Sequence, residues 1–279
     1  METPPETLYH YTNQTGLMGI LESNSLWATK IHYLNDAQEF KLAIDLASPI
    51  LERMFQHQTV SKNREKVRCL IQNLQTIKQL NVCVCSFSAE RDLLSQWRAY
   101  ASGGGYSIGF KTDAVRTKAA SQDYSLVKCI YDRIQQRDLV EELISTSLKD
   151  DFNITPSKRD SKRPDTIILL PTGGQFSRRF AQLAPLLKNR AFHEEAEWRV
   201  VSNGGINSKI LRFRPGRSML LPYGVLKMGN RKGSYLASVT VGPGPHAELA
   251  KSAVSMLMSR WRGARGVKIV SSAASYRSW

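Results

Sequence analysis

Two carboxylates and a guanidinium alternate in EEAEWRVV, residues 194–201. On a β-strand successive side chains point to opposite faces, so Glu195, Glu197 and Arg199 would line one wall while Ala196, Trp198 and Val200 line the other. Such a wall can stabilise a cationic transition state, and it can equally be a solvated charge ladder that contributes little. LYHYT, residues 8–12, would put His10 and Thr12 on one strand face and Tyr9 and Tyr11 on the other. An imidazole two residues from a hydroxyl can hydrogen-bond one ligand together with it; an imidazole satisfied by nearby backbone is the plainer alternative. Between these stretches, QWRAYASGGGY supplies Trp97, Tyr100 and Tyr106, rings able to stack on a flat leaving group.

Taken together, these are the elements that a site for glycosyl transfer from a nicotinamide dinucleotide would need. Breaking the bond between nicotinamide and ribose passes through a transition state with oxocarbenium character. A carboxylate that hydrogen-bonds the ribose hydroxyl therefore gains strength as positive charge develops. Glu197 suits that task and Glu195 suits orientation of the acceptor, while an aromatic ring holds the nicotinamide and His10 positions the donor ribose. This chemistry requires no metal, and the five histidines show no HxxxH spacing. GxxxxGK[ST] and GxGxxG are missing, which argues against the P-loop and the dinucleotide-binding turn, and GYSIG at 105–109 spells GxSxG inside an expected strand rather than at the strand-to-helix turn of a hydrolase elbow.

The elements that must carry these residues follow from periodicity. A helix after the opening strand presents Leu17, Ile20 and Leu21, and SLWAT reads as a strand. Asn35 or Asp36 can cap the next helix, with Gln38 or Glu39 completing a capping box, and Phe40, Ala43, Ile44, Ala47, Leu51 and Met54 recur along it. A second helical stretch covers about 62–80. NVCVCSFS is a buried-strand pattern, DLLSQWRAYA a short helix and YSIGFK a strand in which Gly109 permits close approach from one side. Further strands are predicted at SLVKCIY, HEEAEWRVVSN, KILRFR, SYLASVTVGPG and VKIVSS. Helices are predicted at RDLVEELISTSL, up to about Lys188, and at HAELAKSAVSMLMSRW. Strands and helices do not alternate strictly, so the expected class is α+β, with residues 1–279 forming one domain.

Composition sets the surroundings. With 42% hydrophobic residues the chain can build a sizeable core, and a formal charge of +15 favours nucleic acid, nucleotides or other anionic surfaces. PSKRDSKRP falls in an expected mobile basic loop at about 153–166, and RWRGARGVK mixes cations with a tryptophan. No apolar run reaches the ~18 residues of a membrane helix, and METPPET has no signal-peptide pattern, so a cytoplasmic protein without membrane association is expected. The four cysteines, at 69, 83, 85 and 129, fit neither a zinc spacing nor a disulfide framework.

Read in order, LYHYT, GLMGIL, SLWAT, LNDAQE, CSFS, LLSQWRAYASGGGYSIGF, FHEEAEWR, VTVGPG and IVSSAASYR resemble the bacterial family called domain of unknown function 2971. That family has no settled activity to carry over. More loosely, H-Y-T, a GILE helix, a middle tyrosine and a late strand glutamate look like the His-Tyr-Glu layout of the ADP-ribosyltransferase superfamily. This second resemblance implies a split, mostly antiparallel sheet flanked by helices, with NAD as donor substrate. It implies that His10 and Thr12 bind the donor, that Tyr106 or Tyr100 stacks on nicotinamide with Trp97 competing, and that Glu197 is catalytic with Glu195 as its rival. Arg199 and Arg98 are candidates for the diphosphate, and Glu39 can pair with an arginine at the site; Asn35 and Asp36 have no place in this layout beyond the cap. The implied function is ADP-ribosylation of nucleic acid or a protein bound to it, by a toxin or phage-defence effector with an antitoxin or defence-system partner. Two alternatives are a non-catalytic or nuclease-like nucleic-acid-binding protein and an NAD glycohydrolase.

Overall fold

The computed structural model describes residues 3–34, 38–100, 103–150, 174–216, 218–229, 235–261 and 264–274. Asn35, Asp36, the basic loop at 153–166 and part of RWRGARGVK lie outside these residues, as does the side chain of Glu39.

Elements run in the order β1 (Thr7–Thr12), α1 (Gln14–Ser23), β2 (Ser25–Lys30), α2 (Gln38–His57), α3 (Ser61–Thr76), β3 (Cys83–Ser88), α4 (Leu94–Tyr100), β4 (Tyr106–Lys111) and α5 (Thr112–Ala120). They continue as β5 (Tyr124–Lys128), α6 (Arg133–Asp150), α7 (Gly174–Leu183), β6 (Glu197–Ser202), β7 (Arg212–Pro215), β8 (Leu220–Lys227), β9 (Leu236–Val241), α8 (Ala247–Arg260) and β10 (Lys268–Ser271). The class is mixed α and β, and among the described residues all ten strands join one sheet. Every pairing is antiparallel except β9 with β10.

The sheet hinges on β3. One of its edges carries β6, with β5 beyond. The other edge is divided: β2 pairs at Cys83 and Val84, and β1 pairs only at Tyr9 with Ser88. Two wings diverge from this one edge, β1–β4–β9–β10 and β2–β8–β7. Within the first wing, β1 and β4 are paired over six residues, so the single β1–β3 pair is a seam.

Helices cover both faces, as the buried clusters record. On one face Leu8, Ile108, Phe110, Cys85, Phe87, Trp198 and Val200 pack with Leu17 and Leu21 of α1, Val115 of α5 and Val254 of α8. On the other, Val84 and Val201 pack with Phe40 of α2, Leu70 of α3, Val140 of α6 and Phe180 of α7. Alternation along β3 and β6 sends neighbouring residues into these two cores. Asn13 caps α1, its side chain accepting from the Gly16 N–H at 2.9 Å, and the helix ends on Asn24 in the left-handed region at φ 48°.

Several sequence expectations change. HEEAEWRVVSN is not strand throughout: residues 190–195 form a 3-10 helix, Ala196 turns at φ 42° and ψ 51°, and β6 begins only at Glu197. The helix expected to reach about Lys188 ends at Leu183, followed by a 3-10 turn at residues 184–186. Helix α5 and strand β8 were not anticipated; in β8, Pro222 and Gly224 interrupt the hydrophobic alternation that marks a strand. Among the described residues no helix is long and apolar enough to cross a membrane.

Candidate functional site

Glu197 opens β6 and is 4% exposed. Its backbone N–H donates to the Tyr131 hydroxyl at 2.9 Å, which fixes where the side chain leaves the sheet. Arg199, two residues on and therefore on the same face, grips the carboxylate through Nε to Oε1 at 2.7 Å and Nη2 to Oε2 at 3.0 Å. Arg199 Nη1 donates to the Pro185 carbonyl at 2.6 Å. Lys188 comes from the segment before the 3-10 helix and donates to both Glu197 and Glu195. Its backbone is pinned in turn, since its N–H donates to Ile130 O at 3.0 Å and its carbonyl accepts from the buried Gln136 amide at 2.8 Å.

These four side chains form a charge-balanced quartet inside the protein. Burial pushes the Glu197 carboxyl up, but the Arg199 and Lys188 cations beside it more than offset that and hold it at about 2. Burial would likewise pull Lys188 down, and the Glu197 charge together with the hydrogen bonds to Glu195 and Glu197 outweighs it, leaving the ammonium well above its ordinary value. Tyr100 sits at the rim. The residue is 43% exposed, yet its hydroxyl is raised by burial and then by the charges of Glu197 and Glu195. The quartet thus contains a carboxylate that is ionised at any physiological pH and already saturated by Arg199 and Lys188.

The expected partners of Glu197 lie elsewhere. His10 and Thr12 do share a strand face, paired with Ile108 and Tyr106, and Tyr106 joins the first core at 8% exposed. Their face is the one lined by Phe87 and Cys85: the His10 and Phe87 rings are 5.7 Å apart, and Cys85 Sγ is 4.0 Å from His10 Nδ1. Glu197 and Arg199 pair with Ser88 and Ser86, the residues that alternate with Phe87 and point to the opposite face. The sheet therefore separates His10, Thr12 and Tyr106 from Glu197, Glu195, Arg199 and Tyr100. A single ligand cannot be gripped from both sets without crossing a layer of backbone.

His10 has a structural task of its own. Its Nδ1 lies 2.9 Å from the Ser86 carbonyl, on the part of the β3 edge that neither wing pairs, so the imidazole takes a place in the seam. Burial lowers its pKa, the Ser86 carbonyl opposes that, and the charge of Arg214 adds to the lowering. Trp97 is likewise committed, at 1% exposed with its ring edge-on to Tyr11 at 4.8 Å and its indole N–H donating to Asp92 at 2.6 Å. A Cβ on Gly242 would stand 2.8 Å from that indole, which gives the VGPG turn its glycine. The helix that carries both rings sends Trp97 inward and Tyr100 to the quartet, so Trp97 does not compete for a stacking role there.

Two charged residues escaped the sequence reading. Lys188 is loop-borne and carried no periodic signal. Arg214 of β7 donates from Nη2 to Thr29 Oγ1 at 3.2 Å, while its buried Nε has no hydrogen-bond partner among the described residues. No carboxylate among the described residues pairs with it. The alternating arginines of RFR were its only trace. Among the described residues no group of three metal-ligating side chains is gathered.

Residues 96–200 match the model of a family described as "Protein of unknown function (DUF2971)". The matched stretch runs from α4 to the middle of β6 and contains Tyr100, Lys188 and the Glu195–Arg199 segment, so it supports the family resemblance over the quartet. No curated protein and no solved structure matches the chain.

Proposed function

We propose that the protein binds nucleic acid and that the Glu197 quartet serves the fold. The observation that supports this reading is Arg214, a half-buried guanidinium without a carboxylate partner among the described residues, in a chain of net charge +15. A guanidinium that is partly withdrawn from water and left uncompensated favours an anion, and its fork geometry matches phosphate. Long-range attraction by the net charge would bring a polyanion to it. The test is fluorescence anisotropy of labelled DNA and RNA oligonucleotides against the purified protein at two salt concentrations. Binding that weakens steeply with salt is expected; no binding even at low salt would remove the proposal.

A second reading keeps the NAD-dependent ADP-ribosyltransferase or NAD glycohydrolase. It is favoured by the divided edge of β3, which resembles a split sheet, and by Tyr100 beside Glu195 and Glu197. On this reading the donor would lie on the quartet side and His10 would have no contact with it, and the protein would act as a cytoplasmic toxin or defence effector. Incubation with adenylate-labelled NAD, nucleic acid and lysate tests it. Nicotinamide release by the wild type, lost in folded Glu195→Gln and Glu197→Gln, would carry the enzyme forward, with label transfer separating transferase from hydrolase. Absence of release by the wild type would end this reading.

A further inference from the structure

The wing β2–β8–β7 surrounds Arg214 with an aromatic and cationic surface. Trp27 and Thr29 alternate onto one face of β2, where Thr29 pairs with Tyr223 of β8 and Tyr223 pairs with Arg212 of β7. Arg214, two residues from Arg212, shares that face. The Trp27 and Tyr223 rings stack with centroids 4.6 Å apart and an interplanar angle of 29°. Tyr223 is 6% exposed beneath, whereas Trp27 is 42% exposed. The Arg214 guanidinium lies 5.8 Å from the Trp27 ring centroid and is held there by Thr29. Arg212 is exposed on the same row.

An exposed indole does not need a stacked ring and an adjoining guanidinium to be tolerated at a surface. Here the stack fixes the plane of the indole, and Thr29 fixes the cation within reach of a group lying on that plane. A nucleotide offers both complementary parts, a flat π-face for the indole and a phosphate for the cation. In a duplex the base faces are covered by their neighbours, so such a platform discriminates for unpaired bases. Charge complementarity points the same way, because Arg212 and Arg214 supply two positive charges to the face and no carboxylate among the described residues pairs with Arg214.

We infer that the β2–β8–β7 face is a single-stranded nucleic-acid site, with Trp27 stacking on a base and Arg214 holding the adjacent phosphate. This rests on the reading that the protein binds nucleic acid and adds to it the site, the strandedness and the roles of two residues.

The experiment measures anisotropy of labelled oligothymidylate, oligouridylate and a duplex of equal length with wild type, Trp27→Ala, Trp27→Phe, Arg214→Gln and Arg212→Ala. Urea unfolding of each variant checks that it is folded. Wild type should bind the single strands more tightly than the duplex. Trp27→Ala should weaken single-strand binding about tenfold or more while Trp27→Phe retains most of it, as expected for base stacking. Arg214→Gln should weaken binding and flatten its salt dependence, and Arg212→Ala should do so to a smaller degree. Equal binding of single strand and duplex, or folded Trp27→Ala and Arg214→Gln proteins that bind like wild type, would overturn the site while leaving nucleic-acid binding in place. Failure of the wild type to bind any oligonucleotide would overturn both. A face that binds no nucleic acid but captures a protein would also count against the inference.

Discussion

Glu197→Gln is expected to lower the unfolding free energy by about 3–5 kcal/mol, the usual consequence of removing one partner from a buried ion pair. The substitution keeps the size of the side chain and removes the charge that Lys188 and Arg199 share, leaving Arg199 beside a neutral amide and Lys188 paired with Glu195. Gln retains one carbonyl acceptor, so the lower end of that range is the better expectation. The pH dependence identifies the cause. Glu197 has a folded pKa of about 2 against an ordinary 4.5, so its stabilisation is present above pH 4.5 and is lost as pH falls toward 2. The difference between wild type and variant in urea unfolding should therefore be full at neutral pH and shrink through that window. A variant as stable as wild type at neutral pH would mean that the quartet is not a structural ion pair, and would return weight to a catalytic Glu197.

Trp97→Ala is expected to cost about 3–5 kcal/mol as well, by a different route. The indole is nearly fully buried between Tyr11 and the Gly242 turn, and its removal leaves a cavity that the glycine has no side chain to fill. Asp92 loses the indole N–H and keeps its bonds to Ser272 and to the Ala273 N–H. For a chain of this size the melting temperature should fall by about 10 °C in calorimetry. Trp97→Phe, which keeps the edge-on contact with Tyr11 and loses only the bond to Asp92, should recover more than half of that. An unchanged melting temperature in Trp97→Ala would show that the ring is not a core residue and would reopen its candidacy as a stacking surface.

Much of the local structure was legible because it rests on period. The apolar spacing of α1 and α2 and the buried run of β3 are visible in the sequence, and so is the shared face of Glu197 and Arg199. What two strands do relative to each other was not. Whether His10 faces the same side as Glu197 depends on the registers of Tyr9 with Ser88 and of Ser88 with Glu197, and no single strand carries that information. EEAEWR reads as strand by alternation, yet Ala196 turns through the left-handed region, and Glu195 and Glu197 both accept from Lys188. Strand β8 was hidden by its own Pro222 and Gly224, and with it went the partner of Trp27. Arg214 was legible only as one of several arginines, since a cation becomes informative when its lack of a counter-charge can be seen.

The two wings that diverge from β3 have a kinetic consequence. The first wing is assembled from residues 7–12, 106–111, 236–241 and 268–271, and the second from residues 25–30, 212–215 and 220–227. Each is stitched from both ends of the chain, and their segments interleave. The pairings β2–β8, β3–β6 and β4–β9 each close a loop of more than a hundred residues, the kind of non-local pairing that slows folding because chain entropy is lost before contacts compensate. Neither wing is complete before the strands near the C-terminal end of its span, β8 or β10, are made, so a nascent chain holds its β1 and β2 strands without their full complement of neighbours until its last third has been made.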